Sequence, residues 1–283
     1  MSKRRGETEV KTSLFTTGLR ALDLRGAIQA TAAAGYDSVE LGCFEPHLTL
    51  DVAEGRTAEV VGWLNEAGLP VSALSLVVSY TEPDEAVWRA NVEETCRFIR
   101  LCGRLGTRIV KSMPGPPASA AAGEEHWERF RRAMDAVLPV ARTEGVRLAI
   151  ETHLNHLSDT IRTSLRCMEC GEPDVLGVTL DFCNIHTCGE SALDAIDALG
   201  ERIFFTHVKD SLFSTASGEY VPVGEGRMDY VPIIRRLRAM GYDGYLSVEC
   251  LYGPQDGEVA PAAGAEHDLG VLRGLLDGGA GAA

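Results

Sequence analysis

The feature that most constrains this chain is an alternation. Short apolar runs rich in Val, Ile and Leu are followed, eight times over, by longer amphipathic segments that mostly end in glycine. The apolar runs are VKTSLFTT, YDSVEL, LPVSALSLVV, TRIVKSM, VRLAIE, VLGVTLD, RIFFTHV and YLSVEC. Strands of this kind belong to a parallel sheet covered by helices. Eight such units in 283 residues predict a closed (β/α)₈ TIM barrel, an α/β fold, rather than an open doubly wound sheet. No GxGxxG follows the first run, which removes the usual dinucleotide-binding reading. One domain is expected over residues 10–277, with a disordered N-terminus over 1–9 and a flexible tail over 278–283.

Charge narrows the functions available. The formal net charge is -14, from 41 acidic and 27 basic residues, which argues against a nucleic-acid or anionic-membrane surface. No apolar stretch reaches the roughly 20 residues of a membrane span, and the N-terminal MSKRRGETEV lacks the apolar segment of a signal peptide. A cytoplasmic protein is expected, and a homo-oligomer is compatible with it. The eight cysteines lack the dense spacing of a disulfide scaffold and are expected as reduced thiols. Cys167 and Cys170 form a lone CxxC on a predicted outer helix, where two ordinary helix cysteines are the simpler reading. Cys43, Cys183, Cys188 and Cys250 fall just past strand ends, near the pocket expected there.

Four consecutive predicted strands deliver a polar group to one rim of the sheet: Glu151, Asp181, His207 and Glu249. Any one of them could be a turn residue. Four in register are harder to dismiss, because convergent acids at one barrel mouth repel unless a cation joins them. Three carboxylates and one imidazole form a hard, oxygen-rich set that suits one divalent cation. Mn²⁺ fits best, with Mg²⁺, Co²⁺ or Zn²⁺ as alternatives. Two long segments lie on the same side. PGPPASAAAG is either a surface loop or a lid, and DSLFSTASGEYVPVGEGR, which contains Glu225, is expected to shape the pocket.

The segment THVKDSLFSTASGEYVPVGEGRMDYVPIIRRLRAMGYDGYLSVEC resembles the sugar-phosphate isomerase and epimerase family of xylose-isomerase-like TIM barrels. The resemblance is carried by an HxKD strand end, a VGEG loop, GYDG and a strand ending in Glu, with support from GYDSVEL, AIETH and LDFCN. It implies metal ligands at Glu151, Asp181, His207 and Glu249, the set already found from spacing. It also implies a metal-dependent isomerase or epimerase of a small sugar, ketose or keto-polyol, with Glu151 and Glu249 moving a proton by way of an enediolate. The chain departs from many relatives at Asn184, where they carry a histidine, and at Leu157, where ketose 3-epimerases carry a second Glu.

Further residues complete the expected site. His153 and Lys209 follow Glu151 and His207 by two positions, so strand alternation points them inward as catalytic candidates. His153 is a base, a hydroxyl ligand or a structural histidine; Lys209 neutralises an enolate or a phosphate, or pairs with Glu249 or Asp210. Glu40, His47, Lys111, Asn184, His186 and Arg227 are candidates for binding substrate, and Glu40 and Lys111 could instead meet each other. The leading rival is a metal-dependent dehydratase or lyase on the same scaffold, resembling dehydroshikimate dehydratases, inosose dehydratases or C-glycoside-cleaving enzymes. A non-catalytic binding subunit is a weaker alternative, and an endonuclease-IV-like DNA-repair role conflicts with the acidic charge.

Overall fold

A computed structural model of the chain describes residues 10–212, 219–252 and 260–278. Barrel strands run over Lys11–Phe15 (β1), Ser38–Gly42 (β2), Val71–Ser75 (β3), Ile109–Ser112 (β4), Arg147–Glu151 (β5), Leu176–Asp181 (β6) and Ile203–Val208 (β7). A small antiparallel ribbon, Asp210–Ser211 (β8) and Tyr220–Val221 (β9), follows, and Tyr245–Val248 (β10) is the last barrel strand. The order β1-β10-β7-β6-β5-β4-β3-β2 closes on itself, and every barrel pairing is parallel. The expected (β/α)₈ barrel is therefore the fold.

The helices are Leu24–Ala34 (α1), Leu50–Gly55 (α2), Thr57–Ala67 (α3), Glu85–Leu105 (α4), Glu124–Glu144 (α5) and Ile161–Met168 (α6). Phe182–Thr187 (α7), Ala192–Leu199 (α8), Tyr230–Ala239 (α9) and Ala260–Gly278 (α10) complete the set. Their ends are chemically marked. In α1 the Asp23 side chain accepts from Gly26 N at 2.8 Å, and Gly35 stops the helix at φ 92°, a left-handed conformation in which a Cβ is strained. One face of each helix packs on the barrel: Leu24, Ala27 and Ile28 of α1 are buried, as are Phe130, Met134, Val137 and Ala141 of α5. Truncating one such residue, as in Ile28→Ala, removes about 2–5 kcal/mol.

Two helices escape the sequence reading. α2 falls between two apolar runs with no period of its own, and α7 begins directly after Asp181, whose Oδ1 accepts from Asn184 N at 2.8 Å and so caps it. The last helix begins at Ala260 and continues to Gly278, so the first residue of the expected tail is helical. Residues 1–9 and 279–283, and part of the segment after β8, lie outside the described residues. The PGPPASAAAG segment carries a 3₁₀ turn at Ser119–Ala121.

The HxKD and VGEG motifs meet around one carboxylate. Asp210 Oδ2 accepts from Gly224 N and Gly226 N at 3.0 and 3.1 Å, and its Oδ1 accepts from Met228 N at 3.1 Å. A Cβ on Gly226 would lie 2.0 Å from Asp210 Oδ1, so the loop needs glycine there. All eight cysteines are free. Among the described residues no helix is long and apolar enough to cross a membrane.

Candidate metal centre and active site

Strand register brings the four expected ligands to one mouth of the barrel. Asp181 pairs with His207 across β6 and β7, Ser247 pairs with His207 across β10 and β7, and Glu249 follows Ser247 by two residues. Glu151 ends β5 opposite Thr179. All four side chains are buried, and one donor atom from each lies within 4.8 Å of all the others. His207 Nδ1 is 3.2 Å from Glu151 Oε1, 3.5 Å from Glu249 Oε1 and 3.9 Å from Asp181 Oδ2.

These residues fit a divalent cation. Donors bound at about 2.1 Å sit roughly 3–4.2 Å from one another, so the cluster needs only a slight contraction. Asp181 Oδ2 is buried with no hydrogen-bond donor aligned on it, although Lys209 Nζ lies 2.6 Å away. Charge agrees as well. Glu40, Glu151, Asp181 and Glu249 are four carboxylates facing two ammonium groups, Lys111 and Lys209, a balance that a divalent cation completes beside a neutral imidazole.

The lysines sit symmetrically. Lys111 Nζ lies 2.5 Å from Glu151 Oε2, and Lys209 Nζ lies 2.6 Å from Glu249 Oε2. Each glutamate thus turns one oxygen to the imidazole and the other to a lysine. Burial disfavours the charged form of Glu151, yet Lys111 and His207 hold its pKa well below the usual range. Burial raises the pKa of Asp181 despite Lys209. Burial also opposes the charged forms of His207 and Lys209, and the surrounding carboxylates outweigh it, holding both pKa values well above normal. Tyr230, at the start of α9, fixes the backbone beneath Lys209: its hydroxyl donates to Lys209 O at 2.6 Å.

The other expected residues are placed unevenly. Glu40 and Lys111 do not meet each other; Glu40 lies against His207 Nε2 at 2.9 Å. Lys209 pairs with Asp181 and Glu249, whereas Asp210 is committed to its loop. His153 stands half-buried at the rim, its Nδ1 2.7 Å from Leu154 O and its ring 4.6 Å from that of His156. Asn184 is buried and donates to Thr152 O at 3.1 Å, which braces the ends of β5 and β6. His47 is buried away from the cluster, its Nε2 3.3 Å from Leu19 O. The side chains of His186 and Arg227 are exposed and stand apart from the ligand cluster. Of the thiols, Cys183 Sγ lies 3.3 Å from Ser211 Oγ, Cys250 Sγ donates to Asp268 Oδ2 at 3.4 Å, and Cys43 and Cys188 are buried and half-buried.

Several residues around the site were not anticipated. Phe15 stacks on the His207 ring at 5.5 Å, and Phe205 meets it edge-on at 5.9 Å. Ser75 and Ser247 donate to Glu40. Ser247 and Phe205 each precede a ligand by two positions, so strand alternation carried a signal for both.

A closed barrel with a candidate metal cluster at one mouth defines a class that comparison with known proteins identifies. The profile of the xylose isomerase-like TIM barrel family matches residues 28–275, and the chain belongs to that family. It is similar to inosose isomerase of Bacillus velezensis, with 22% identity over 247 residues, covering 84% of this chain and 87% of the relative. Its fold is shared by the probable 3-DHS dehydratase of Bacillus anthracis, with a TM-score of 0.77, 20% identity and coverage of 93% of this chain and 99% of that one. It is shared also by the IolI protein with a bound zinc atom, with a TM-score of 0.79, 18% identity and coverage of 95% and 99%.

Proposed function

We propose that the protein is a divalent-cation-dependent isomerase or epimerase of a small sugar, ketose or keto-polyol, acting through an enediolate. The observation that carries this reading is the pairing of Glu151 and Glu249. They rise from β5 and the end of β10, each with one oxygen toward the cation position and the other on a buried lysine. The cation, when bound, supplies Lewis acidity worth several kcal/mol to an oxygen that gains negative charge. Glu151 removes the proton next to the carbonyl, and a placed carboxylate contributes about 10² to 10⁴ in rate. Delivery of a different proton from the acid form of Glu249 to the opposite face gives epimerisation; return of the first proton from Glu151 to the neighbouring carbon, with a hydroxyl proton passing between the two oxygens, gives isomerisation. Lys111 and Lys209 orient the two bases and offset charge building on substrate oxygens. With Nδ1 of His153 donating to Leu154 O, its Nε2 keeps a lone pair for a substrate hydroxyl.

A dehydratase or lyase is the second reading. The His153–His156 pair favours it, since two imidazoles with centroids 4.6 Å apart offer a separate proton carrier for a leaving hydroxyl. Incubating the protein and Mn²⁺ with a panel of ketoses and keto-polyols, followed by mass spectrometry and ultraviolet absorption, tests the two. A product of unchanged mass supports the isomerase. A conjugated product lighter by one water supports the dehydratase.

A further inference from the structure

The inference concerns Glu40, and it rests on the cation reading of the site. Glu40 lies on β2, separated from β7 by β1 and β10, and it reaches across the barrel to the face of His207 that points away from the acidic cluster. Its side chain is fully buried, which for a carboxylate demands partners. It has them on both oxygens. Oε1 lies 2.9 Å and Oε2 3.2 Å from His207 Nε2; Ser75 Oγ donates to Oε1, and Ser247 Oγ donates to Oε2 at 2.5 Å.

An ionised carboxylate only accepts hydrogen bonds, so the nitrogen facing Glu40 must be the one that carries the proton. That fixes the tautomer of the neutral ring. With a cation in place of the proton that the acids otherwise hold on Nδ1, Nε2 keeps its hydrogen on Glu40 and Nδ1 turns its lone pair toward Glu151, Asp181 and Glu249. Turning the ring over would point carbon at the acids. Phe15, stacked at an interplanar angle of 23°, and Phe205, edge-on at 80°, hold the plane that Glu40 selects. The β2–β3 register shifts between Val39 and Glu40, a local irregularity of the kind that re-aims a side chain into a site.

We infer that Glu40 is the positioning residue of the metal-binding imidazole, and that Ser75 and Ser247 in turn hold Glu40. It is not a substrate ligand, because its oxygens are taken up by the imidazole and the two hydroxyls. Partners of this type set ligand orientation and basicity, and losing one costs about 10- to 100-fold in metal affinity.

The test is the Mn²⁺ affinity of the full-length protein, measured by competition with a chelator, for wild type, Glu40→Gln and Ser247→Ala. Glu40→Gln should bind Mn²⁺ about 10- to 100-fold more weakly, and Ser247→Ala, which keeps the carboxylate, should lose less. The visible absorption of the Co²⁺-loaded protein should change in Glu40→Gln, because the ring that donates Nδ1 is no longer held. A purely structural role would lower the melting temperature without moving either readout. Should Glu40→Gln fail to fold, Ser75→Ala with Ser247→Ala frees the carboxylate while retaining it, and a several-fold weaker Mn²⁺ affinity is expected. Unchanged affinity in the folded variants overturns the inference alone. A wild type that takes up no Mn²⁺ overturns the cation reading and the inference with it.

Discussion

Lys111 Nζ lies 2.5 Å from Glu151 Oε2, with side-chain exposures of only 3% and 2%. A buried pair this close is costly to break on one side, by about 3–5 kcal/mol, because the remaining charge has no solvent. Lys111→Met should therefore destabilise the metal-free protein by about that amount, as read from urea unfolding. Added Mn²⁺ should recover part of the loss by neutralising Glu151. An unfolding midpoint equal to that of wild type would show that His207, 3.2 Å from Glu151 Oε1, compensates the buried charge without Lys111.

Metal content separates ligands from neighbours. Asp181→Asn and His207→Ala each remove a donor from the cluster, and both should be purified without stoichiometric metal and without activity. His153→Ala should keep its metal, since the ring lies outside the cluster with Nδ1 on Leu154 O. Elemental analysis of the purified variants decides the matter. Loss of metal from the His153 variant would make that residue a ligand.

His156 predicts a pH effect. Burial and the neighbouring His153 push its pKa down to about 4, below that of a histidine in the unfolded chain. The unfolded state therefore binds the proton more readily. The stability this group contributes is whole above about pH 6.5 and declines as pH falls toward about 4. Between about pH 7 and about pH 4.5, wild type should lose more thermal stability than His156→Gln. Parallel melting curves for the two proteins across that range would contradict the assignment.

The sequence made the barrel legible because eight apolar runs repeat with helices between them, and a parallel sheet leaves few other closures. The candidate metal cluster was legible for a related reason: each of its residues ends an apolar run, so its depth in the barrel follows from its place in the strand. Neither α2 nor α7 was legible, since six residues hold too few turns to show a period, although Asp181 ahead of Asn184 is a capping signal in retrospect. Glu40 was expected to bind substrate or to meet Lys111, and its partner is His207 instead. That partner is 167 residues away, on a strand reached only when the barrel closes. His186 and Arg227 show the converse limit, because loop and short-helix geometry rather than strand alternation sends them to the surface.

The measurement that bears most directly on the central claim is turnover in D₂O with Mn²⁺ and a keto-polyol or ketose accepted as substrate. Glu151 and Glu249 have their second oxygens on Lys111 and Lys209, an arrangement suited to removing and returning a proton without expelling a leaving group. Deuterium should appear on the carbon next to the carbonyl, with the molecular formula otherwise unchanged. Glu249→Gln should stop that exchange, with metal content measured alongside. A product that has lost one water and absorbs in the ultraviolet, formed in place of the exchanged isomer, would contradict the isomerase account.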